Sequence, residues 1–115
     1  METSILITIK KLLGITSTDT SFDTDIIVSI NSVFSILCQM GVGPETGFKI
    51  TGTTETWNSF IGSATTLELV KSYIYMKVRK MFDPPQSATV ANAIDETIKE
   101  LEWRLNTIVD PGKES

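Results

Sequence analysis

The stretch LELVKSYIYMKVRKMFDPPQSATVANAIDETIKELEWRLNTIV, residues 67–109, decides the fold class. In its second half Val90, Ile94, Ile98, Leu101, Leu105 and Ile108 follow at intervals of four, four, three, four and three, which lays them on one stripe of a helix. Full burial of a large aliphatic is worth about 1.5–3 kcal/mol, so that stripe must face a core. The first half, 67–82, is apolar over more than half its circumference, through Leu67, Leu69, Val70, Tyr73, Ile74, Met76, Val78, Met81 and Phe82. Such a helix packs on several sides and is expected at the middle of the fold. Asp83-Pro84-Pro85 separates the two, because proline lacks the amide donor and disfavours helix at the residue before it. Ser87 is placed to cap the second helix.

Two residues break the pattern. Trp103 lies two positions from Leu101 and so projects about 200° around the axis, among Lys99, Glu100, Asn106 and Thr107. An aromatic surface of about 150–250 Å² is costly to leave in water and useful to bury against a partner. Three readings are open for it: cover by another element of the same chain, an interface anchor supported by Arg104, or a stacking platform for a cofactor. Lys77 falls on the apolar face near Ile74 and Met81. Its ammonium must snorkel to solvent or meet a carboxylate, and no second chemical group is placed to make it catalytic.

The amino-terminal half supplies two more helices. Ile5, Leu6, Ile9, Leu12 and Leu13 share a helical face, and Gly14 is placed to close that helix in a left-handed conformation. A polar loop, 16–21, follows. Asp23 is the expected N-cap of the next helix, with Phe22 and Ile27 as a hydrophobic staple. Ile26, Ile27, Ile30, Val33, Phe34 and Leu37 form its buried face, and Gly41 ends it. Short loops between these elements favour antiparallel neighbours.

Between 42 and 63 the helical period disappears. Glycines and Pro44 punctuate a segment that could hold a short β-hairpin around Phe48-Lys49-Ile50 or a helical turn near Trp57, Phe60 and Ile61. A loop of this length in a small domain is often a contact surface, with Trp57, Phe60 and Ile61 anchoring it to the core. The expected fold is mainly α: an antiparallel bundle of four main helices with an irregular glycine-rich insertion between the second and third. One helical domain spans 1–110, and 111–115 form a flexible tail.

Composition narrows the chemistry. The chain has 115 residues, 41% of them hydrophobic, which suffices for one core without staples. A single cysteine, Cys38, allows no internal disulfide and reads as a core or boundary residue. The absence of histidine excludes Ser-His, Cys-His and His-based zinc chemistry. A net charge of −4 argues against affinity built on phosphate neutralisation, and Lys71, Lys77, Arg79 and Lys80 point in different directions around their helix. No membrane span or secretory signal is read at the start, where Glu2 precedes few apolar residues and Lys10-Lys11 interrupt them.

The apparent motifs fail on context. Gly41-Val42-Gly43-Pro44-Glu45-Thr46-Gly47 follows a helix instead of joining a strand to one, and no Gly-Lys-Ser/Thr completes a phosphate loop. Asp19, Asp23 and Asp25 lack the glycine and terminal glutamate of a calcium loop. Asp95, Glu96, Glu100 and Glu102 read as the solvated face of the last helix, with no pair set for acid-base work. No cofactor, metal or catalytic residue is expected.

The order of elements nevertheless resembles one family. A short leading helix, Ser21-Phe22-Asp23-Thr24-Asp25-Ile26-Ile27, a glycine-rich connector, Val70-Lys71-Ser72-Tyr73-Ile74-Tyr75-Met76-Lys77-Val78-Arg79 closing on Phe82-Asp83-Pro84-Pro85, and Glu102-Trp103-Arg104-Leu105-Asn106 are similar to the head-tail connector (adaptor) proteins of long-tailed bacteriophages and their prophage relatives. The resemblance covers nearly the whole chain. It implies a structural, non-enzymatic subunit that forms a homo-oligomeric, dodecameric ring on the portal protein, extends the DNA channel and docks a stopper or tail-completion protein. DNA would pass without sequence-specific binding and no membrane would be involved. The implied address is the head-tail junction of a virion, after synthesis in the bacterial host cytoplasm. A ring needs one patch to meet a different patch on the next subunit. The expected patches are Trp103, Arg104, Asn106 and Thr107 on the last helix, and Gly43, Pro44, Phe48 and Lys49 in the insertion. The competing expectation is a small helical regulatory module acting as a dimer.

Overall fold

The computed structural model describes residues 4–44, 47–60, 64–82 and 84–109, the side chains of 64, 65, 108 and 109 excepted. Ser4 opens the first helix: its hydroxyl accepts from the Ile7 amide at 3.4 Å, and α1 (Ile5–Leu12) follows with Ile5, Leu6 and Ile9 buried. Gly14, at φ +84°, turns the chain away and returns its amide to the Lys11 carbonyl. The next helix, α2 (Asp23–Met40), buries Ile26, Ile30, Val33, Phe34 and Leu37, and ends at Gly41 with φ +86°. There the Val42 amide reaches back to the Leu37 carbonyl, satisfying acceptors that the helix end leaves open.

A single turn, α3 (Trp57–Phe60), precedes the two helices whose pattern is strongest, α4 (Ala64–Phe82) and α5 (Ala88–Val109). The Ser87 hydroxyl caps α5 by accepting from the Val90 amide at 3.3 Å, as the sequence predicts. The fold is mainly helical, and α4 is at its middle, packed against α5, α2 and α1. Val70, Tyr73, Ile74 and Val78 are its buried apolar residues, and Ile94, Ile98, Leu101 and Leu105 face it from α5.

Two side-chain bonds pin the α4–α5 register. Lys80 meets Asp95 at 2.5 Å, and the Tyr73 hydroxyl donates to Glu102 at 2.8 Å. Seven residues down α4 correspond to seven residues up α5, so this pair runs antiparallel with the bonds about 10 Å apart along it.

Several local expectations are corrected. No strand forms among the described residues, only an isolated bridge between Ser4 and Thr56, so the β-hairpin around Phe48-Lys49-Ile50 is absent there. Its backbone finds a side-chain partner instead: the Ile50 amide donates to Asn31 Oδ1 at 2.7 Å, and the Ile50 carbonyl accepts from Asn31 Nδ2 at 2.9 Å. The amide group of Asn31 thereby supplies what a neighbouring strand would. The helical turn at Trp57 is the alternative that forms.

Asp23 is the first residue of α2, not its N-cap, which is Phe22 without a side-chain bond. Its carboxylate is drawn to Lys10, and the Phe22 ring packs edge-on against Phe82 at 5.4 Å. Leu12, Met81 and Val90, each placed on an apolar face by spacing, are exposed near the ends of their helices. Ile61, Asp83 and the tail 111–115 lie outside the described residues, as do Glu45, Thr46 and the side chain of Ile108.

Candidate functional site

Trp103 stands on α5 with 57% of its surface exposed, so no element among the described residues covers it. Its surroundings are already satisfied. Arg104 directs Nε and Nη2 to one oxygen of Glu100, at 3.0 and 2.9 Å, an exposed pair one turn apart worth only a few tenths of a kcal/mol by the ordinary scale (about 0.3–0.5). The Thr107 hydroxyl donates to the Trp103 carbonyl at 2.9 Å, and Asn106 and Thr107 are half-buried. What α5 offers outward is therefore one indole among charges that largely neutralise each other.

The insertion is built differently. Phe34, Phe48 and Phe60 form a cluster with ring centroids 4.7–5.4 Å apart, which joins α2, the loop and α3. Gly43 lies against it at φ +89°, and a Cβ there would stand 2.4 Å from the Phe60 ring. Only glycine fits both the backbone and the space. Gly43 and Pro44 are half-buried, Lys49 is exposed, and half-buried Phe48 spends its ring on the inner cluster. No hydrogen bond, ion pair or ring contact among the described residues joins this group to the one around Trp103.

The loop is strapped to α1 as well. The Trp57 indole donates to Thr8 Oγ1 at 3.0 Å, the Ile5 amide donates to the Glu55 carbonyl at 3.1 Å, and Lys71 lies over the Trp57 ring. Glu55 gathers the Thr51 amide and hydroxyl and the Gly52 amide. Burial alone would raise its carboxyl pKa, but the bonds from Thr51 and Gly52 outweigh burial and hold it below the usual value.

Sequence reasoning missed Lys10. Its side chain is 2% exposed, and its ammonium reaches Asp23 at 2.8 Å and the carbonyls of Asp19 and Ser17 at 2.7 and 3.4 Å. It gathers the loop between α1 and α2 much as a bound cation would. The sequence shows it only as part of the Lys10-Lys11 interruption, yet Leu6, Lys10 and Leu13 share the i, i+4, i+7 spacing that carries the signal. Glu102, expected on the solvated face of the last helix, is half-buried and accepts from Tyr73. Lys77 is half-buried, its ammonium 5.9 Å from the Tyr73 ring centroid, at a shallow groove of about 280 Å³ that Ser32, Ile36, Lys80 and Met81 complete.

Among the described residues no group of three His, Cys, Asp or Glu side chains is placed to hold a metal, and no helix is long and apolar enough to cross a membrane. A model of the phage connector protein family matches residues 5–112. No curated protein and no solved structure matches the chain.

Proposed function

The chain belongs to the phage connector protein family, and from that premise we propose that it is a structural subunit of the head-tail junction, assembled as a ring on the portal. In that role it extends the DNA channel and offers a surface to a stopper or tail-completion protein. The observation that carries the reading is the family match over nearly the whole chain. An exposed tryptophan on a helix that needs only one face for the core supports it, since such anchors are enriched at protein interfaces. A net charge of −4 suits a channel through which DNA must slide, because a strongly basic lining would hold it.

We read the α4-centred packing as an antiparallel bundle of four main helices, with the insertion as an appended contact loop. The ring is dodecameric on the portal, the site of action is the virion, and no catalysis or cofactor is involved. Cosedimentation with the cognate portal tests the reading. Saturable binding of many copies to each portal is expected, whereas a discrete dimer that ignores the portal would favour a regulatory module instead.

A further inference from the structure

We propose that the groove between α2 and α4, lined by Ser32, Ile36, Lys77, Lys80 and Met81, receives the Trp103 face of a second copy of this chain. The proposal rests on the connector reading, since it names how neighbours in the ring would meet. The groove has a volume of about 280 Å³ and an adaptable apolar rim in Met81, which is 49% exposed. Trp103, 57% exposed, is the large aromatic that lacks an intramolecular seat.

Charge favours the pairing. On α4, Lys71, Lys77, Arg79 and Lys80 outweigh Glu68, while beside Trp103 on α5 Glu96 and Glu100 are held only in exposed pairs, to Lys99 at 3.9 Å and to Arg104 at 2.9 Å, of the weak kind a new partner can replace. No ion pair among the described residues engages Lys77, whose ammonium rests only over the Tyr73 ring. Seating Trp103 in the groove brings Glu96 and Glu100 of one copy toward Lys77 of the next. That local attraction offsets the mutual repulsion of two acidic chains.

The contact joins two different patches. Trp103 follows Glu102, which sits at the level of Tyr73, whereas the groove lies at the level of Lys77 to Met81 and opens toward α2. In a ring each copy gives its tryptophan to one neighbour and its groove to the other, so association continues until it closes, whereas a pair that inserted both tryptophans reciprocally would stop at two and give no ladder.

Zero-length carbodiimide coupling of mixed ¹⁵N-labelled and unlabelled chains, at low ionic strength with and without the portal, tests the pairing. Mixed-isotope peptides joining Lys77 to Glu96 or Glu100 are expected, with a ladder of linked species and at least a tenfold loss of both in Trp103→Ala. Mixed peptides joining only the Trp103 faces, through Lys99 and Glu100, would overturn it in favour of a two-fold dimer. Their absence in both arms would overturn it as well. Portal binding without the Lys77 links rejects this pairing and leaves the connector reading standing. Links formed by a chain that ignores the portal uphold the pairing and remove that reading.

Discussion

The hydroxyl of Tyr73, on a fully buried ring, donates to Glu102 at 2.8 Å, one residue before the exposed indole of Trp103. The bond fixes α5 against α4 at the point where α5 carries its most conspicuous surface group. Burial first, then the hydrogen bond to Glu102 and its negative charge, raise the phenol's pKa far above the ordinary value near 10.

Tyr73→Phe should cost about 1–2 kcal/mol, the scale for losing a bond to a charged acceptor that keeps some access to water. Because the folded state holds the phenolic proton more tightly than the unfolded chain, this contribution is complete below about pH 10 and declines as pH rises further. Urea midpoints measured from neutral to strongly alkaline pH should fall less steeply at the alkaline end in Tyr73→Phe than in the parent.

Gly43→Ala and Gly14→Ala form a matched pair. Both positions have positive φ, but a Cβ at Gly14 meets nothing within 4 Å while one at Gly43 meets the Phe60 ring. Thermal denaturation should show a loss of about 1 kcal/mol at Gly14 and about 2–4 kcal/mol at Gly43. Equal losses would mean that ring contact contributes nothing.

Lys10→Met removes a cation that holds Asp23 and two loop carbonyls. Leaving those acceptors without their donor should cost about 2–4 kcal/mol, below the full range for a broken buried pair because Asp23 keeps 23% exposure. Hydrogen exchange should accelerate in the segment 15–22 before it does in α4.

Trp103→Ala should leave the folded monomer within about 0.5 kcal/mol of the parent, as expected for an exposed residue, while weakening assembly by about 2 kcal/mol or more. Ile98→Ala is the control. It empties a 6%-exposed core position and should cost about 2–5 kcal/mol in folding itself.

The helices were legible because periodicity and breakers are local. The spacing of Ile94, Ile98, Leu101 and Leu105 places α5 correctly, and Gly14, Gly41 and Ser87 mark ends that the structure keeps. Groups whose partners lie far along the chain were not legible. Asn31 satisfies Ile50 nineteen residues away, Lys10 draws Asp23 out of a capping role, and Tyr73 finds Glu102 on the next helix. In each case a polar side chain's role depends on what tertiary packing brings to it. Trp103 was legible as an oddity because it violates the stripe of its own helix.

Electron cryomicroscopy of the cognate portal, alone and after mixing with this chain, tests the central claim most directly. The predicted result is an added ring of helical density on the tail side of the portal, coaxial with its channel and with α5 at the contact between neighbouring subunits. Portals that remain bare at saturating protein, while the chain stays a closed dimer, would contradict it.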